Sequence, residues 1–486
     1  MPLLSSPGYW FVGRVLWLFF GMGIALVLVI GVSVPAQAAP SRTYAVMDSV
    51  TVGSNPAGVA AMPGGDVYVA NYGADTVSVI DPSKDAVVDT ITGIDKPFAI
   101  AAMPGGDVYV TAGTIGGVGA DASAVWVIDP NINNTVIQTI TIGGSLQGVA
   151  AMPGGSVYVT NNVFGTVSVI DPTSNILVQT ITGINNATGV AAMPGGDVYV
   201  TSGSSGMVSI IDPSDNNTVT SGTFPGNVNY VAAMPGGDVY ITQEAAGTVL
   251  AFNQSAGKLT TIPVGGSPLG VAAAQGGDVY VTDQTNGTVS VIDPVSNTVV
   301  QTIPVGGSPW GVAAAQGGDA YVTNITAGTV SVIGVLSAAS APGGLSVTGI
   351  GNSGTQATLS WSSPATTGGS AISSYVIQQS LNQGSSWVTS TATVTGTTAT
   401  VTGLTPGETY SFRVAAVNSV GTSPWSATAV VTLTLHAGTG LAFTGSLAQT
   451  GSSIPDGLIP CAGGALLIGG ILVIAEYRKR LKNTRR

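Results

Sequence analysis

The chain has 486 residues, of which only 7% are charged, and its 23 Asp and Glu outnumber its 12 Lys and Arg. This acidic excess argues against a phosphate-binding surface, and therefore against nucleic acid as a partner. The 69 Gly and 27 Pro favour short strands and turns over helices, so the predicted fold class is all-β. The length allows two or more folded domains, and the low charge suits a protein outside the cell.

The N-terminal segment 1–38 has the order of a secretory signal peptide. A start that carries Arg14 precedes an apolar run over 15–32 and the sequence VPAQA, which ends at Ala38. Signal peptidase reads small residues in this arrangement, so we predict cleavage between Ala38 and Ala39. Because the apolar run is long for a signal peptide, an uncleaved N-terminal anchor is the alternative.

Seven near-copies of the phrase PGGDVYVT fill the next part of the chain, over 39–336. The residue that follows Gly-Gly in the seven copies is Asp66, Asp107, Ser156, Asp197, Asp238, Asp278 and Asp319. A period of about 40 residues with four short strands per unit predicts a β-propeller, here with seven blades. The last unit stops near Val335 without a fourth strand, whereas 45–53 is a fourth-strand pattern without a blade. We therefore predict that the N-terminal strand completes the last blade and closes the ring.

The tetrapeptide YVTN occurs at 158–161 and at 321–324. With it, the region from residue 45 to about 335 resembles the YVTN-type propellers of bacterial and archaeal surface proteins. The resemblance implies a fold and a surface location, and it indicates little about activity.

Two recurring turn sequences are interpreted as architecture. In PGGD, Gly-Gly supplies positive φ and the Asp or Ser bonds the neighbouring backbone. The Asp-Pro steps occupy the first two turn positions at Asp81, Asp129, Asp171, Asp212 and Asp293. A calcium-binding ring of the six PGGD carboxylates is the alternative, but each lies on a different blade, beyond ligand distances of about 2.6 Å. The prediction is therefore no metal site.

One position varies freely among the repeats, two residues before the Val of VAAM. It reads Ala57, Phe98, Gln147, Thr188, Asn229, Leu269 and Trp310, and the loop after YVT varies as well, with Tyr72 and Phe164. Both lie on the same rim of a propeller, and variable loops on a rigid scaffold favour a binding site for a glycan or a protein. The alternative is that the aromatic residues plug the central channel or pack between blades.

Catalytic signatures are scarce. The single His436 lies beyond the repeats, no phosphate-binding loop occurs, and no cofactor is predicted. The one catalytic candidate is the carboxylate pair Glu244 and Asp283 on adjacent blades, since two carboxylates across a cleft can hydrolyse a glycosidic bond. The alternative is that both are solvated loop charges.

After a short linker at 337–341, the segment 342–435 resembles a fibronectin type III domain. Trp361 corresponds to the core Trp of such sandwiches, and Leu404, Pro406 and Tyr410 match their tyrosine corner. The resemblance implies a spacer or a secondary binding module.

The C-terminal part combines a linker at 436–456, an apolar span at 457–476 with the lone Cys461, and a basic tail at 477–486. A span of this length crosses a bilayer, and the basic tail stays in the cytoplasm. The linker contains LAFTG and LAQTG, which resemble the LAxTG form of the LPxTG cell-wall sorting signal.

This resemblance implies sortase and peptidoglycan as partners, with a membrane stage before sorting, in the wall of a high-GC Gram-positive bacterium. In that family a thiolate attacks the Thr carbonyl. The cut then falls between Thr450 and Gly451, favoured by the short spacer to the span, or between Thr444 and Gly445.

Three functions remain open from the sequence. The favoured one is a wall-anchored, non-enzymatic surface protein whose propeller binds a glycan or protein ligand. The alternatives are an extracellular polysaccharide-acting hydrolase or lyase, and a structural coat of the cell envelope.

Overall fold

The computed structural model describes residues 12–16, 28–32 and 42–434, except 114–122, 204, 235–236, 255, 275–276 and 317. The predicted cleavage at Ala38 and Ala39, the LAxTG motifs with Thr444 and Thr450, the apolar span and the basic tail lie outside these residues. Within the predicted signal peptide, β1 (Val12–Leu16) pairs antiparallel with β2 (Leu28–Val32). In the described part of the chain, no helix is long and apolar enough to cross a membrane.

The described residues from 44 to 335 form seven four-stranded antiparallel sheets, numbered here along the chain. Sheets 1 to 4 consist of β4 (Pro56–Ala61), β5 (Val67–Asn71), β6 (Thr76–Asp81) and β7 (Ala86–Thr92); β8 (Pro97–Ala102), β9 (Val108–Ala112), β10 (Ala124–Asp129) and β11 (Thr135–Thr141); β12 (Leu146–Ala151), β13 (Val157–Asn161), β14 (Thr166–Asp171) and β15 (Ile176–Thr182); β16 (Ala187–Ala192), β17 (Val198–Ser202), β18 (Met207–Asp212) and β19 (Thr218–Thr223). Sheets 5 to 7 consist of β20 (Val231–Ala233), β21 (Asp238–Gln243), β22 (Thr248–Asn253) and β23 (Lys258–Pro263); β24 (Pro268–Ala273), β25 (Val279–Asp283), β26 (Thr288–Asp293) and β27 (Thr298–Pro304); β28 (Pro309–Ala314), β29 (Ala320–Asn324), β30 (Thr329–Val335) and β3 (Tyr44–Thr51). Short 3₁₀ turns lie at Pro130–Ile132, Pro213–Asp215 and Glu244–Ala246.

The core lies between successive sheets rather than within any one of them. Both faces of the second strand of each sheet are covered; all five residues of β5 are buried, including Asn71 at its end. One apolar cluster joins Tyr68 of sheet 1 to Val108 and Val110 of sheet 2, and similar clusters follow around the ring. The outermost strands are largely exposed, as in β19, where no residue is buried.

The N-terminal strand is the outermost strand of sheet 7, as the repeat pattern predicts. β3 pairs antiparallel with β30, from Tyr44 opposite Val335 to Thr51 opposite Thr329. The first strands of successive sheets contact one another, and β28 of sheet 7 packs against β4 of sheet 1. The sheets therefore form a closed, propeller-like ring.

Buried tyrosines join each sheet to the next. The Tyr of every YVT copy is almost fully buried, and six of the seven hydroxyls donate to an acceptor in the following sheet. The pairs are Tyr68 with Asn134, Tyr109 with Asn175, Tyr158 with Asn217, Tyr199 with Gln254, Tyr240 with Asn297, and Tyr280 with the Gly318 carbonyl. These bonds hold neighbouring sheets in register.

Two of the PGGD carboxylates have a different role from the predicted one. The turn itself forms as expected, with Gly64 at φ 70° and a hydrogen bond from Gly65 N to the Met62 carbonyl. The carboxylate of Asp107, however, accepts a bond from the Asn175 amide of the next sheet at 2.9 Å rather than from adjacent backbone. Asp107, and likewise Asp197 through Gln254, thus fastens one sheet to the next, whereas Asp238 accepts from Asn253 of its own sheet.

The Asp-Pro carboxylates do cap their own turns, as predicted. Asp129, Asp171 and Asp212 each accept a backbone N–H from two residues further on. The turn geometry is therefore local at these positions.

Residues 343–432 form a two-sheet sandwich of the fibronectin type III kind. One sheet orders β31 (Gly343–Ile350), β32 (Gln356–Ser362), β36 (Thr398–Thr402) and β35 (Ala392–Thr395), and the other β34 (Val388–Thr389), β33 (Ser374–Ser380), β37 (Thr409–Val417) and β38 (Ala429–Thr432). Trp361 and Leu404 are buried in its core, and the Tyr410 hydroxyl accepts the Thr405 N–H at 3.0 Å. The predicted core Trp and tyrosine corner are both present.

The predicted linker at 337–341 is hydrogen-bonded to the sandwich. Ser337 N donates to the Gly368 carbonyl at 2.9 Å, and the Asn418 amide donates to the Ser337 carbonyl at 2.8 Å. A Cβ at Gly369 would lie 2.3 Å from Sδ of Met47, so this loop of the sandwich touches the closing strand β3. The segment 337–341 is therefore held by contacts to the sandwich rather than acting as a free linker.

Candidate functional site

The ring has two unlike faces. Since each sheet is antiparallel, the connections between its second and third strands lie on the same face as the connections that lead into its first strand; we call this the loop face. The PGGD and Asp-Pro turns lie on the opposite face, the turn face. β30 runs from the loop face to the turn face, so the chain leaves the ring at Val335 on the turn face. The sandwich is therefore joined to the face opposite the variable loops.

A cavity of about 180 Å³ lies at the centre of the ring, near the loop face. It is lined by the start of the first strand in each sheet, where the variable position is found. Phe98, Gln147 and Trp310 are partly exposed and line the cavity, and Tyr230 lines it from sheet 5. The central channel is thus bordered by side chains that differ from sheet to sheet.

Three of the predicted rim aromatics form a row. The rings of Tyr72 and Phe98 meet edge to face at a centroid distance of 6.3 Å, and Phe98 meets Trp310 in the same way at 6.3 Å. Lys96 Nζ lies 5.6 Å from the centre of the Tyr72 ring and 3.0 Å from an Asp75 oxygen. The row therefore runs from a loop of sheet 1 across sheet 2 to sheet 7, and its members are only partly buried.

The other side of the cavity is polar. The Asn229 amide donates to Glu244 Oε2 at 3.0 Å, and the Gln147 amide donates to Ser145 Oγ at 3.2 Å. Burial, and then the Glu244 charge, raise the pKa of Tyr230 to about 12, so this phenol is neutral and can donate at physiological pH. The residues of this side offer hydrogen-bond donors and acceptors opposite the aromatic row.

Tyr230 is a site residue that the sequence reasoning missed. At the equivalent position, five of the seven repeats have Gly and the second has Ala99. The sequence shows this difference as YVAA at 230–233, where five repeats read GVAA. Residue 230 was overlooked because only the position just before it, which differs in every repeat, was considered as a binding position.

Where this position holds glycine, the neighbouring sheet leaves no room for a Cβ. A Cβ at Gly270 would lie 2.3 Å from the Trp310 carbonyl oxygen, and one at Gly58 would lie 2.5 Å from that of Phe98. The Thr282 hydroxyl accepts from Gly270 N at 2.8 Å and donates to the Trp310 carbonyl at 2.7 Å. Adjacent first strands therefore meet backbone to backbone, with a Thr hydroxyl between them.

The same bond recurs around the channel. It joins Thr160 to the Thr188 carbonyl, Thr201 to that of Asn229, and Thr323 to that of Ala57. Each of these carbonyls belongs to a variable residue. Hydrogen bonds thus fix the backbone of four of the seven variable residues, including Trp310, which limits their movement.

The remaining predicted rim residues are placed unevenly. Thr188 is partly exposed and donates to the Asn186 carbonyl at 2.9 Å. Phe164 is 54% exposed on a loop-face turn of sheet 3. Ala57 and Leu269 are only 4% exposed, because their side chains pack among the strands. Of these two, Leu269 is a predicted rim residue, and its burial leaves little of its side chain available to a ligand.

The proposed catalytic pair is not a pair of solvated loop charges. Asp283 is 2% exposed and accepts the backbone N–H groups of Ser267 at 3.0 Å and Asn286 at 3.1 Å, together with the Asn286 amide at 2.6 Å. It occupies the Asn position of YVTN and organises the loops beneath the surface. Glu244 is held by Asn229. Among residues 42–434, as far as they are described, no three acidic, His or Cys side chains converge in a metal-binding arrangement.

The fold and this site define a class: an all-β protein with a propeller-like body, which presents variable side chains on one face, and a fibronectin type III domain. The fibronectin type III domain family matches residues 340–432. Hydrazine synthase from Kuenenia stuttgartiensis is 19% identical, with 61% of this chain and 97% of that chain covered and a TM-score of 0.51.

Virginiamycin B lyase from Staphylococcus aureus is 13% identical, with 59% and 98% covered and a TM-score of 0.51. A streptogramin B lyase is 12% identical, with 59% and 97% covered and a TM-score of 0.50. At these identities the likeness shows the propeller-like fold alone.

Proposed function

We propose that the protein is a cell-surface binding module, in which the seven sheets are the blades of a YVTN-type propeller and the channel mouth on the loop face binds a glycan. The observation that carries the proposal is the row of Tyr72, Phe98 and Trp310, with the Gln147 amide and the Tyr230 phenol lining the same cavity as Phe98 and Trp310. Partly exposed aromatic faces beside fixed polar groups suit a sugar ring, which has apolar C–H faces and hydroxyl edges.

The direction of the chain supports display. The sandwich is joined to the turn face, so the loop face is left open to the surroundings. We propose that 1–38 directs export and that sortase joins Thr450, or alternatively Thr444, to peptidoglycan. The fibronectin type III domain then serves as a spacer between wall and ring. A ligand-binding face directed away from its anchor is the arrangement that an adhesion module needs.

Two substitutions in the aromatic row test the binding site. Trp310→Ala and Phe98→Ala remove ring faces from the channel mouth, and each is expected to weaken binding to a glycan array at least about tenfold. Phe164→Ala is the matched control, since this aromatic lies on the same face outside the row and is expected to retain binding. Melting temperatures close to that of the parent show that the ring is intact. Unchanged binding by Trp310→Ala and Phe98→Ala refutes the proposed site.

The hydrolase or lyase alternative is separable by a direct assay. Polysaccharides that bind to the array are incubated with the protein, and new reducing ends are measured, along with unsaturated products for a lyase. The binding proposal predicts no turnover by the parent protein. Turnover that is lost in Glu244→Ala establishes the enzyme instead.

A further inference from the structure

Side-chain amides bridge most of the seams between neighbouring sheets on the turn face. At the seam of sheets 2 and 3, the Asn175 oxygen accepts the Tyr109 hydroxyl at 2.7 Å, while its nitrogen donates to Asp107 at 2.9 Å. An amide does both because it carries an acceptor and two donors on one planar group. At four seams the amide thus forms a neutral bridge between a phenol and an acceptor on the preceding sheet.

The seam of sheets 7 and 1 has a carboxylate where five of the other six seams have an amide; at the seam of sheets 6 and 7, Tyr280 donates to the Gly318 carbonyl instead. Asp85 stands four residues after Asp81, as Asn175 stands four residues after Asp171, and it adopts the same left-handed backbone with φ 46°. An ionised carboxylate accepts hydrogen bonds but donates none. Asp85 therefore supplies no donor to Asp319, the PGGD carboxylate of sheet 7.

Tyr321 is left without its usual partner at this seam. Its side chain is 1% exposed, yet within the described part of the chain its hydroxyl has no hydrogen-bond partner, whereas the six equivalent tyrosines all have one. Tyr321 and Asp319 line a cavity of about 310 Å³, together with Asp66 and Asp81. A buried phenol and three carboxylates thus border one space.

Negative charge predominates around this cavity. Burial, followed by the charges of Asp48, Asp319 and Asp81, raises the pKa of Asp85, and burial raises the pKa of Asp319. The nearest cation is Lys84, which is paired with Asp81 on the outside. Asp81 accepts from Ser83 and Lys84, whereas the carboxylates of Asp66 and Asp319 have no donor among the described residues.

We propose that the cavity binds a primary alkylammonium cation, whose N–H groups donate to Asp319, Asp66 and the Tyr321 oxygen in place of the missing amide. An ammonium group presents three donors and a full positive charge on one atom, which suits several acceptors around a small space. Met62, Pro82 and Ala315 give the cavity an apolar wall for the alkyl chain. The site lies on the turn face and is separate from the glycan site.

The test compares two cations of equal charge on the mature chain. Butylammonium chloride is expected to raise the melting temperature saturably, by about 2 °C or more, and to give a binding isotherm by calorimetry. Tetramethylammonium chloride has no N–H group and is expected to give neither effect at the same ionic strength. Asp85→Asn, which restores the internal amide, and Asp319→Asn are both expected to abolish the butylammonium response. Asp107→Asn, the same change at the seam of sheets 2 and 3, is expected to retain it.

Three results overturn the proposal. Equal stabilisation by the two ammonium salts reduces the effect to charge screening. Saturable binding of calcium chloride that excludes butylammonium makes the cavity a metal site. If lowering the pH raises the melting temperature and butylammonium has no saturable effect, the carboxylates are neutralised by protonation rather than by an amine. Trp310→Ala distinguishes this site from the loop-face site, because it is expected to leave the butylammonium response unchanged.

Discussion

Asp85→Asn is expected to stabilise the ring, although it changes one residue of a surface turn. The introduced amide takes the position that Asn175 has two sheets away, where it accepts a tyrosine hydroxyl and donates to a carboxylate. Two hydrogen bonds, with Tyr321 and Asp319, are gained at about 1 kcal/mol each. A gain of about 2 kcal/mol corresponds to a rise of about 3 °C in the melting temperature of a ring of this size.

The gain depends on pH in a defined direction. The pKa values of Asp85 and Asp319 are raised in the folded state, so the folded protein holds protons that the unfolded chain has released. The parent therefore loses stability as the pH rises from the ordinary carboxyl pKa through these raised values. The advantage of Asp85→Asn is consequently larger at pH 7 than at pH 4.

Thermal unfolding followed by calorimetry at both pH values measures this effect. Asn175→Asp is the matched control, since it creates the same donor deficit at the seam of sheets 2 and 3, and a comparable loss is expected at pH 7. If Asp85→Asn leaves the melting temperature at pH 7 unchanged, or raises it equally at pH 4, the account of this seam is wrong.

Three further predictions concern the ring and its anchoring. Ala70→Thr supplies the hydroxyl that sheet 1 lacks beside the Phe98 carbonyl and is expected to stabilise by about 1 kcal/mol in denaturant unfolding, whereas Ala70→Val gives no such gain. Gly270→Ala places a Cβ against the Trp310 carbonyl and is expected to destabilise by about 2 kcal/mol; a melting temperature equal to that of the parent contradicts the close approach. Mass spectrometry of wall digests is expected to find Thr450 joined to a wall peptide, and an intact C-terminus in the membrane fraction argues against sorting.

The repeat made much of the ring predictable. Strand positions, turns and the role of the N-terminal strand follow from period and pattern, because a second strand buried on both faces must be apolar and a unit without an outer strand must obtain one elsewhere. The tyrosine corner of the sandwich was equally predictable, since Leu404 and Tyr410 have the sequence spacing of this motif.

The contacts between sheets were not predictable in the same way. A repeat gives the face of the strand on which a side chain lies, but not the neighbour that it meets in the following unit. For this reason the Tyr109 to Asn175 bond was not predicted. Asp283 was predicted to be a rim carboxylate, either catalytic or solvated, although it is buried among loop N–H groups. Leu269 was assigned to the rim because variation was equated with exposure, whereas a buried position also varies when its packing space differs.

The exit of the chain on the turn face has a mechanical consequence. If a ligand holds the loop face while the wall holds the C-terminus, tension enters the ring at Val335 and acts along β30. This strand lies between β29 and β3, so the load is directed along both ladders and shears their hydrogen bonds together rather than opening them one by one. The N-terminal strand β3, which is synthesised first, would then bear part of the tension applied to β30, which is synthesised last.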